Sequence, residues 1–336
     1  MHTDTIAVIL AAGKGTRMKS SRAKVLHEVF FKPMLHHVLD SVLAAAIPEI
    51  AVIVGHDREA VTQSIREYAY TPVVQKEQLG TGHAVLCAEE ACQDREQVMI
   101  LCGDTPLIRP ETLSAMLAAH GKSGATITLM TTILKNPFGY GRVISNEDGT
   151  IAEIVEEKDA TDEQRQIQEI NTGIYLVQRD FLFNALRQVG TDNSQGEVYL
   201  TDIIAIANRA GKQVAKFLHP EAIDVLGVNS RVELAQAHDE LLMRRNRDLM
   251  LDGVTMYQPH TITVQPGIAI GADTIIEAGA RLTGSTSVGQ GAHIQDGVIL
   301  HSCTIGAASV IGAHAVLYNS TVEDEEHIPP LTHRVG

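Results

Sequence analysis

An aliphatic residue returns every six positions late in this chain, at Val264, Ile270, Ile276, Leu282, Val288, Ile294 and Leu300. After a one-residue slip the beat resumes at Ile305, Ile311 and Leu317. Glycine follows the aliphatic residue at Gly271, Gly289, Gly306 and Gly312, and a small residue stands two before it at Ala280, Ala292, Ser309 and Ala315. This is the mark of a parallel β-helix of hexapeptides, three to a coil, and residues 253–322 supply about three coils and part of another. Residues 323–336 open with Glu323, Asp324, Glu325 and Glu326 and continue to Pro329 and Pro330. Proline cannot donate to a ladder, so this stretch reads as a tail that ends and caps the solenoid.

The preceding residues follow another rhythm, and 336 residues are comfortable for two domains. Strand-like apolar runs near Ile6–Leu10, Ile50–Val54, Val73–Gln75, Val98–Leu101 and Ala125–Leu134 alternate with helical patterns at Met34–Ala46, Arg58–Ala69, Gly82–Ala91 and Glu111–His120. Such alternation predicts an α/β domain on a mostly parallel sheet, whose ligands bind at the carboxyl ends of strands. A further helical pattern runs over Gly196–Lys212, with Tyr199 and Thr201 read as structural. Ser230 and Glu233 have the form of a capping box, opening a helix of about 20 residues and roughly 30 Å that joins the two regions.

The polar signals collect at the strand ends. Ile6–Leu10 leads into Ala11, Ala12, Gly13, Lys14, Gly15, Thr16, Arg17 and Met18, a buried strand opening into a glycine loop. Gly13 and Gly15 allow backbone N–H groups to press against an anion, and Lys14, Arg17 and Lys24 supply charge, so the loop reads as a triphosphate holder. A dinucleotide fingerprint needs a third glycine at Met18, and a Walker A loop needs four residues between its glycines; neither is present. Gln75 offers both donor and acceptor to a base edge, with Gly80 and Thr81 beside it. Asp104, after Gly103, is a candidate oxygen ligand for Mg²⁺, which keeps several waters and takes few protein ligands.

Taken alone, the clustered acids Glu153, Glu156, Glu157 and Asp159 read as a solvated turn, and Asn229 as a turn cap. A resemblance gives them further meaning. LAAGKGTRM with Lys24, QLGTGHA, the segments from Gly139-Tyr140-Gly141-Arg142 to Asn171-Thr172-Gly173, and GVNSR resemble the bacterial N-acetylglucosamine 1-phosphate uridylyltransferases, from residue 4 to about 322. The resemblance implies a Rossmann-like nucleotidyltransferase domain over 1–228, a connecting helix over 229–252 and a left-handed β-helix. It implies Arg17 and Lys24 as catalytic residues. Leu10, Ala11, Ala12, Gly13, Lys24, Gln75, Gly80, Thr81 and Gly103 would hold the nucleotide, and Gly141, Glu156 and Asn171 the sugar. Asp104 and Asn229 would hold Mg²⁺. Two departures stand out: Ala23 replaces the proline usual before the lysine, and Cys102 stands where the family often has an aromatic residue.

The implied reaction joins UTP to N-acetylglucosamine 1-phosphate with release of pyrophosphate, in a homotrimer assembled through the β-helix. Another sugar 1-phosphate, such as glucose 1-phosphate, is the near alternative, and a non-catalytic trimeric nucleotide-sugar sensor is the distant one. The family's acetyltransferase residues lie in coils beyond Gly336, so that second activity is not expected; His293, His301 and His314 read as surface residues. Composition agrees with this picture. A net charge of −14 opposes nucleic-acid binding. The longest N-terminal apolar run is far below the roughly 20 residues of a membrane span. Four scattered cysteines and a mean hydropathy of +0.02 read as a reduced, cytoplasmic protein.

Overall fold

The computed structural model describes residues 4–336. It divides into two compact units, the first running to Glu28 and over Lys32–Glu233, the second comprising Val29–Phe31 and Leu234–Gly336.

The first unit is built on a nine-stranded sheet. Strands β1 (Thr5–Leu10), β2 (Glu49–Val54), β3 (Thr71–Val74) and β4 (Gln97–Cys102) are parallel, with β1 between β2 and β4 and β3 outside β2. Next in the chain come β5 (Ile127–Ile133), the hairpin β6 (Arg142–Ser145) and β7 (Ile151–Val155), β8 (Glu169–Gln178) and β9 (Val214–Leu218). β8 lies between β4 and β5 and is antiparallel to both; β9 is parallel to β5. The run Ile6–Ile9 is continuously apolar because both faces of β1 are covered. Ile6 and Val8 enter one buried cluster with Ala84, Val85, Val98 and Ile100. Ala7 and Ile9 enter the other with Leu35, Val38 and Val52. Helices α1 (Met34–Ala44) and α2 (Arg58–Ser64) fall within the stretches read as helical, while α3 (Thr81–Leu86) starts one residue before Gly82–Ala91 and α4 (Pro110–Ser123) extends past Glu111–His120 at both ends.

The helix expected across Gly196–Lys212 begins only at Ile203, after a turn over Leu200–Asp202. The backbone of Val198 is committed elsewhere: its N–H donates to the Leu79 carbonyl at 2.8 Å and its carbonyl accepts from Gly82 at 2.8 Å. These bonds draw Gly196–Val198 against the loop before α3 and leave no freedom for helix there.

The second unit is a left-handed parallel β-helix with two five-stranded sheets and one of four strands. Val264 pairs with Leu282 and Leu282 with Leu300, one coil apart, so the six-residue beat stacks like residues on one side. The slip is absorbed where Val288 pairs with Ile305. Val264, Ile276, Leu282, Ile294, Leu300, Ile311 and Leu317 are fully buried. In the helix Arg231–Leu251, buried Asn246 donates to the carbonyls of Pro259 at 2.7 Å and Ile262 at 2.8 Å, satisfying two acceptors at the start of the first coil.

The reading of residues 323–336 as a tail past the solenoid is corrected. His327–Ile328 pairs with Val310–Ile311, and His333–Val335 with Val316–Tyr318, so two of the sheets run on. Pro329 and Pro330 fall in the turn between these strands, where the missing N–H forfeits no ladder bond. The Pro329 carbonyl instead accepts from the Thr332 hydroxyl at 2.7 Å. Among the described residues, no helix is long and apolar enough to cross a membrane.

Candidate nucleotide and sugar-phosphate site

Strand register brings the glycine loop and the metal-ligand candidate together. Leu10 and Cys102 are paired at the ends of β1 and β4, and the Leu10 carbonyl accepts from Gly103 at 2.9 Å. The chain leaves β1 through Ala11, whose N–H donates to Ile53, and turns through Gly15 at φ 59° into a tight helical turn, Thr16–Met18. Met18 is buried and anchors that turn. A side chain at Gly15 is excluded twice, by its positive φ and by the Lys24 Cβ, which lies 2.5 Å from where a Cβ would stand. Ala23 holds φ −52°, close to proline's fixed value, so the backbone before Lys24 keeps the geometry a proline would impose.

The loop opens onto a cavity of about 410 Å³. Of the residues singled out from the sequence, Leu10, Ala11, Ala12, Gly13, Arg17, Lys24, Gln75, Gly80, Thr81, Asp104 and Asn229 line it. Gly103 does not; a Cβ there would stand 3.1 Å from the Leu10 carbonyl, so this glycine serves the close approach of the two strand ends.

At one side of the cavity two cations meet two oxygen donors. The Lys24 ammonium donates to the Asp104 carboxylate and, at 2.7 Å, to Oδ1 of Asn229. Arg17 donates to the same Oδ1 at 2.8 Å. The Asn229 amide is turned this way by its own bonds: Nδ2 donates to the Gly227 carbonyl at 3.0 Å, and its backbone N–H donates to Glu233 at 2.6 Å. The Asp104 carbonyl accepts from Val228 at 2.8 Å, tying the two segments together. Asp104 and Asn229 therefore converge on a point where a positive charge already sits, a hard oxygen pair of the kind that suits Mg²⁺. Among the described residues there is no cluster of three or more His, Cys, Asp or Glu, so a cation here would draw its other ligands from substrate oxygens and water.

The opposite end of the cavity is the Gln75 loop. Gly80 has φ 107°, and a Cβ there would stand 2.6 Å from the Val198 carbonyl, so the loop presses directly on Glu197–Val198. Gln78 donates to the Ala12 carbonyl at 2.5 Å and bridges this loop to the glycine loop. Gln78, part of the QLGTGHA motif but given no role, and Glu197, not singled out in the sequence, also line the cavity. Glu197 carried no local signal.

Gly141, Glu156 and Asn171 lie outside the cavity lining but are brought together. A Cβ at Gly141 would stand 3.4 Å from Glu156 Oε2 and 3.6 Å from Asn171 Cβ, and the Gly141 carbonyl accepts from Asn171 at 2.9 Å. Their loops are braced by buried Arg142, which donates to the Tyr140 carbonyl and pairs with Glu157 at 2.8 Å. Glu157 in turn accepts from Gly139 at 3.0 Å. Cys102 joins this group to the cavity, since its thiol lies against Gly173. Burial and the Asp104 carboxylate push that thiol up to about 12, so it packs as a neutral group. Thr201, read as structural, reaches Glu156 with its hydroxyl at 3.3 Å.

A loop holding cations opposite an Asp–Asn oxygen pair, at the carboxyl edge of a mostly parallel sheet, defines a nucleotidyltransferase, and the nucleotidyl transferase family model matches residues 6–238. Three proteins, each named bifunctional protein GlmU, are similar over most of this chain. That of Desulfotalea psychrophila is 52% identical, across 96% of this chain and 95% of its own length. That of Pelobacter propionicus is 42% identical, across 97% and 72%. The Geobacter metallireducens protein is 45% identical, across 90% of this chain and 64% of its own. The chain belongs to the GlmU family of nucleotidyltransferases.

Glu156 yields a pH-dependent prediction. Burial raises its carboxyl above the ordinary 4.5; the Thr201 hydrogen bond opposes this, while Asp159, Asp202 and Glu197 add to it. The folded protein therefore holds the proton longer than the unfolded chain, and stability is lost as pH rises from 4.5 through the raised value. Thermal melts of wild type and Glu156→Gln from acid to neutral pH should show wild type losing ground to the variant as pH rises. Parallel curves would show that the carboxyl is not held in its neutral form.

Proposed function

We propose that this chain transfers the uridylyl group of UTP to N-acetylglucosamine 1-phosphate, releasing pyrophosphate, with Mg²⁺ as cofactor. The observation that carries the reading is the meeting of Arg17, Lys24, Asp104 and Asn229 at the mouth of the glycine loop. An oxygen of the sugar phosphate attacks the α-phosphorus as the bond to the bridging β-phosphate oxygen breaks. No covalent nucleophile is needed, and the task is to align two anions and offset their charge.

In this reading the loop from Ala11 to Gly13 cradles the phosphates with backbone N–H groups. Arg17 and Lys24 hold the triphosphate and stabilise the charge that collects on departing pyrophosphate. Gln75, Gly80 and Thr81 take the uracil. Gly141, Glu156 and Asn171 take the sugar, with the Glu156 carboxyl accepting from hydroxyls. Asp104 and Asn229 hold Mg²⁺, which when bound neutralises charge between the sugar phosphate and the α-phosphate. The relatives are named bifunctional; this proposal covers uridylyl transfer alone.

The same reading makes the β-helix the element through which three copies assemble. Tyr257, Leu331 and Val335 are exposed on this unit, at 56%, 77% and 64%. Truncation after Asp252 should yield a monomer that still turns over UTP. A trimer from that fragment in light scattering would place the contact elsewhere.

For the chemistry, Asp104→Asn keeps size and removes the charge that a metal needs, so turnover should fall by about 10²–10³-fold with folding unchanged. Near-normal turnover in a well-folded variant would take Asp104 out of the reaction.

A further inference from the structure

His83 lies behind the cavity wall and touches Gln75. Its Nδ1 is 3.1 Å from Nε2 of Gln75, and that same Nε2 donates to the Gly80 carbonyl at 3.2 Å. A main-chain carbonyl can only accept, so the nitrogen of the Gln75 amide must face Gly80; turned over, the amide would set two oxygens against one another. The two hydrogens of that nitrogen then go to Gly80 and to Nδ1 of His83. This requires the imidazole tautomer that carries its hydrogen on Nε2. The other side of the ring agrees, for Nε2 is 4.0 Å from Sγ of Cys87, a weak acceptor four residues further on. Cys87, His83, Gln75 and Gly80 thus form one directed chain of hydrogen bonds.

The consequence lies at the free end of the chain. Gln75 is only 5% exposed and lines the cavity, yet its Oε1 takes no hydrogen bond among the described residues. With the nitrogen held on the far side, the atom left to face a ligand is an acceptor. We propose that His83 is a positioning residue for base selection: together with the Gly80 carbonyl it holds the Gln75 amide, so that Oε1 is presented to a pyrimidine whose N3 carries a hydrogen and disfavours one whose N3 carries a lone pair. Uracil meets that requirement and cytosine does not. The inference rests on the uridylyl-transfer reading for its ligand, and on the hydrogen-bond chain for its mechanism.

The test is calorimetric titration of the full chain with UTP and with CTP, in the absence of any sugar phosphate. The wild type should bind UTP more tightly. His83→Leu removes an acceptor from the amide nitrogen, so the amide is freer to turn, and the UTP-to-CTP affinity ratio should fall by about tenfold. His83→Asn can place an amide oxygen where Nδ1 stood and should keep the ratio within about threefold of wild type. Should the leucine variant not fold, His83→Gln, whose oxygen lies one bond further out, takes its place with the same expectation. A folded leucine or glutamine variant with an unchanged ratio overturns the proposal, as does an asparagine variant that loses as much as leucine. A wild type indifferent between UTP and CTP overturns it too. A wild type that prefers UTP but transfers it to a different sugar phosphate overturns the proposed reaction and leaves the role of His83 standing.

Discussion

The pairing of the Lys24 ammonium with the Asp104 carboxylate and the Asn229 amide oxygen is the interaction around which the site is arranged. Each partner comes from a different stretch of chain. Lys24 is set by packing against Gly15, Asp104 by the end of β4, and Asn229 by Gly227 and Glu233. Such a cluster asks for an anion. Two cations and two accepting oxygens stand within hydrogen-bond reach of one another there.

The sheet makes this possible. β1 and β4 are neighbours in parallel, so their carboxyl ends release the glycine loop and Asp104 side by side. β8 then runs antiparallel between β4 and β5, which carries Asn171 and Gly173 past Cys102. The group of Gly141, Glu156 and Asn171 is therefore fastened to the end of β4 through Cys102 and Gly173, and to the β6–β7 hairpin through Arg142 and Glu157. The position that often holds an aromatic ring in similar proteins is filled here by a thiol that burial keeps neutral.

What the sequence disclosed follows how local each signal is. A strand that opens into glycines, and an aliphatic beat of six, are written in neighbouring residues, so the loop and the solenoid could be read directly. Asn229 could be placed only by resemblance, because its partners Arg17 and Lys24 lie 212 and 205 positions away. Glu197 gave no sign, since an exposed polar residue looks the same whether or not a cavity forms beside it. The delayed helix start at Ile203 was set by bonds from Val198 to Leu79 and Gly82, a tertiary choice that outweighed helical patterning. The last coil was misread for a different reason: Pro329 and Pro330 break a ladder only if they fall within a strand, and here they fall in a turn. That turn and others of the solenoid adopt positive φ, at Leu331, Ser302 and Ala308, where no glycine announces the bend.

We propose that this cluster and the Gln75 loop serve uridylyl transfer to an N-acetylated amino sugar. It is tested most directly by the initial rate of pyrophosphate release from UTP, measured with Mg²⁺ and a panel of sugar 1-phosphates. The account predicts rapid release with N-acetylglucosamine 1-phosphate and much slower release with glucose 1-phosphate. Equal or faster release with glucose 1-phosphate would contradict the assigned sugar, and no release with any sugar phosphate would contradict the assignment of the site to this chemistry.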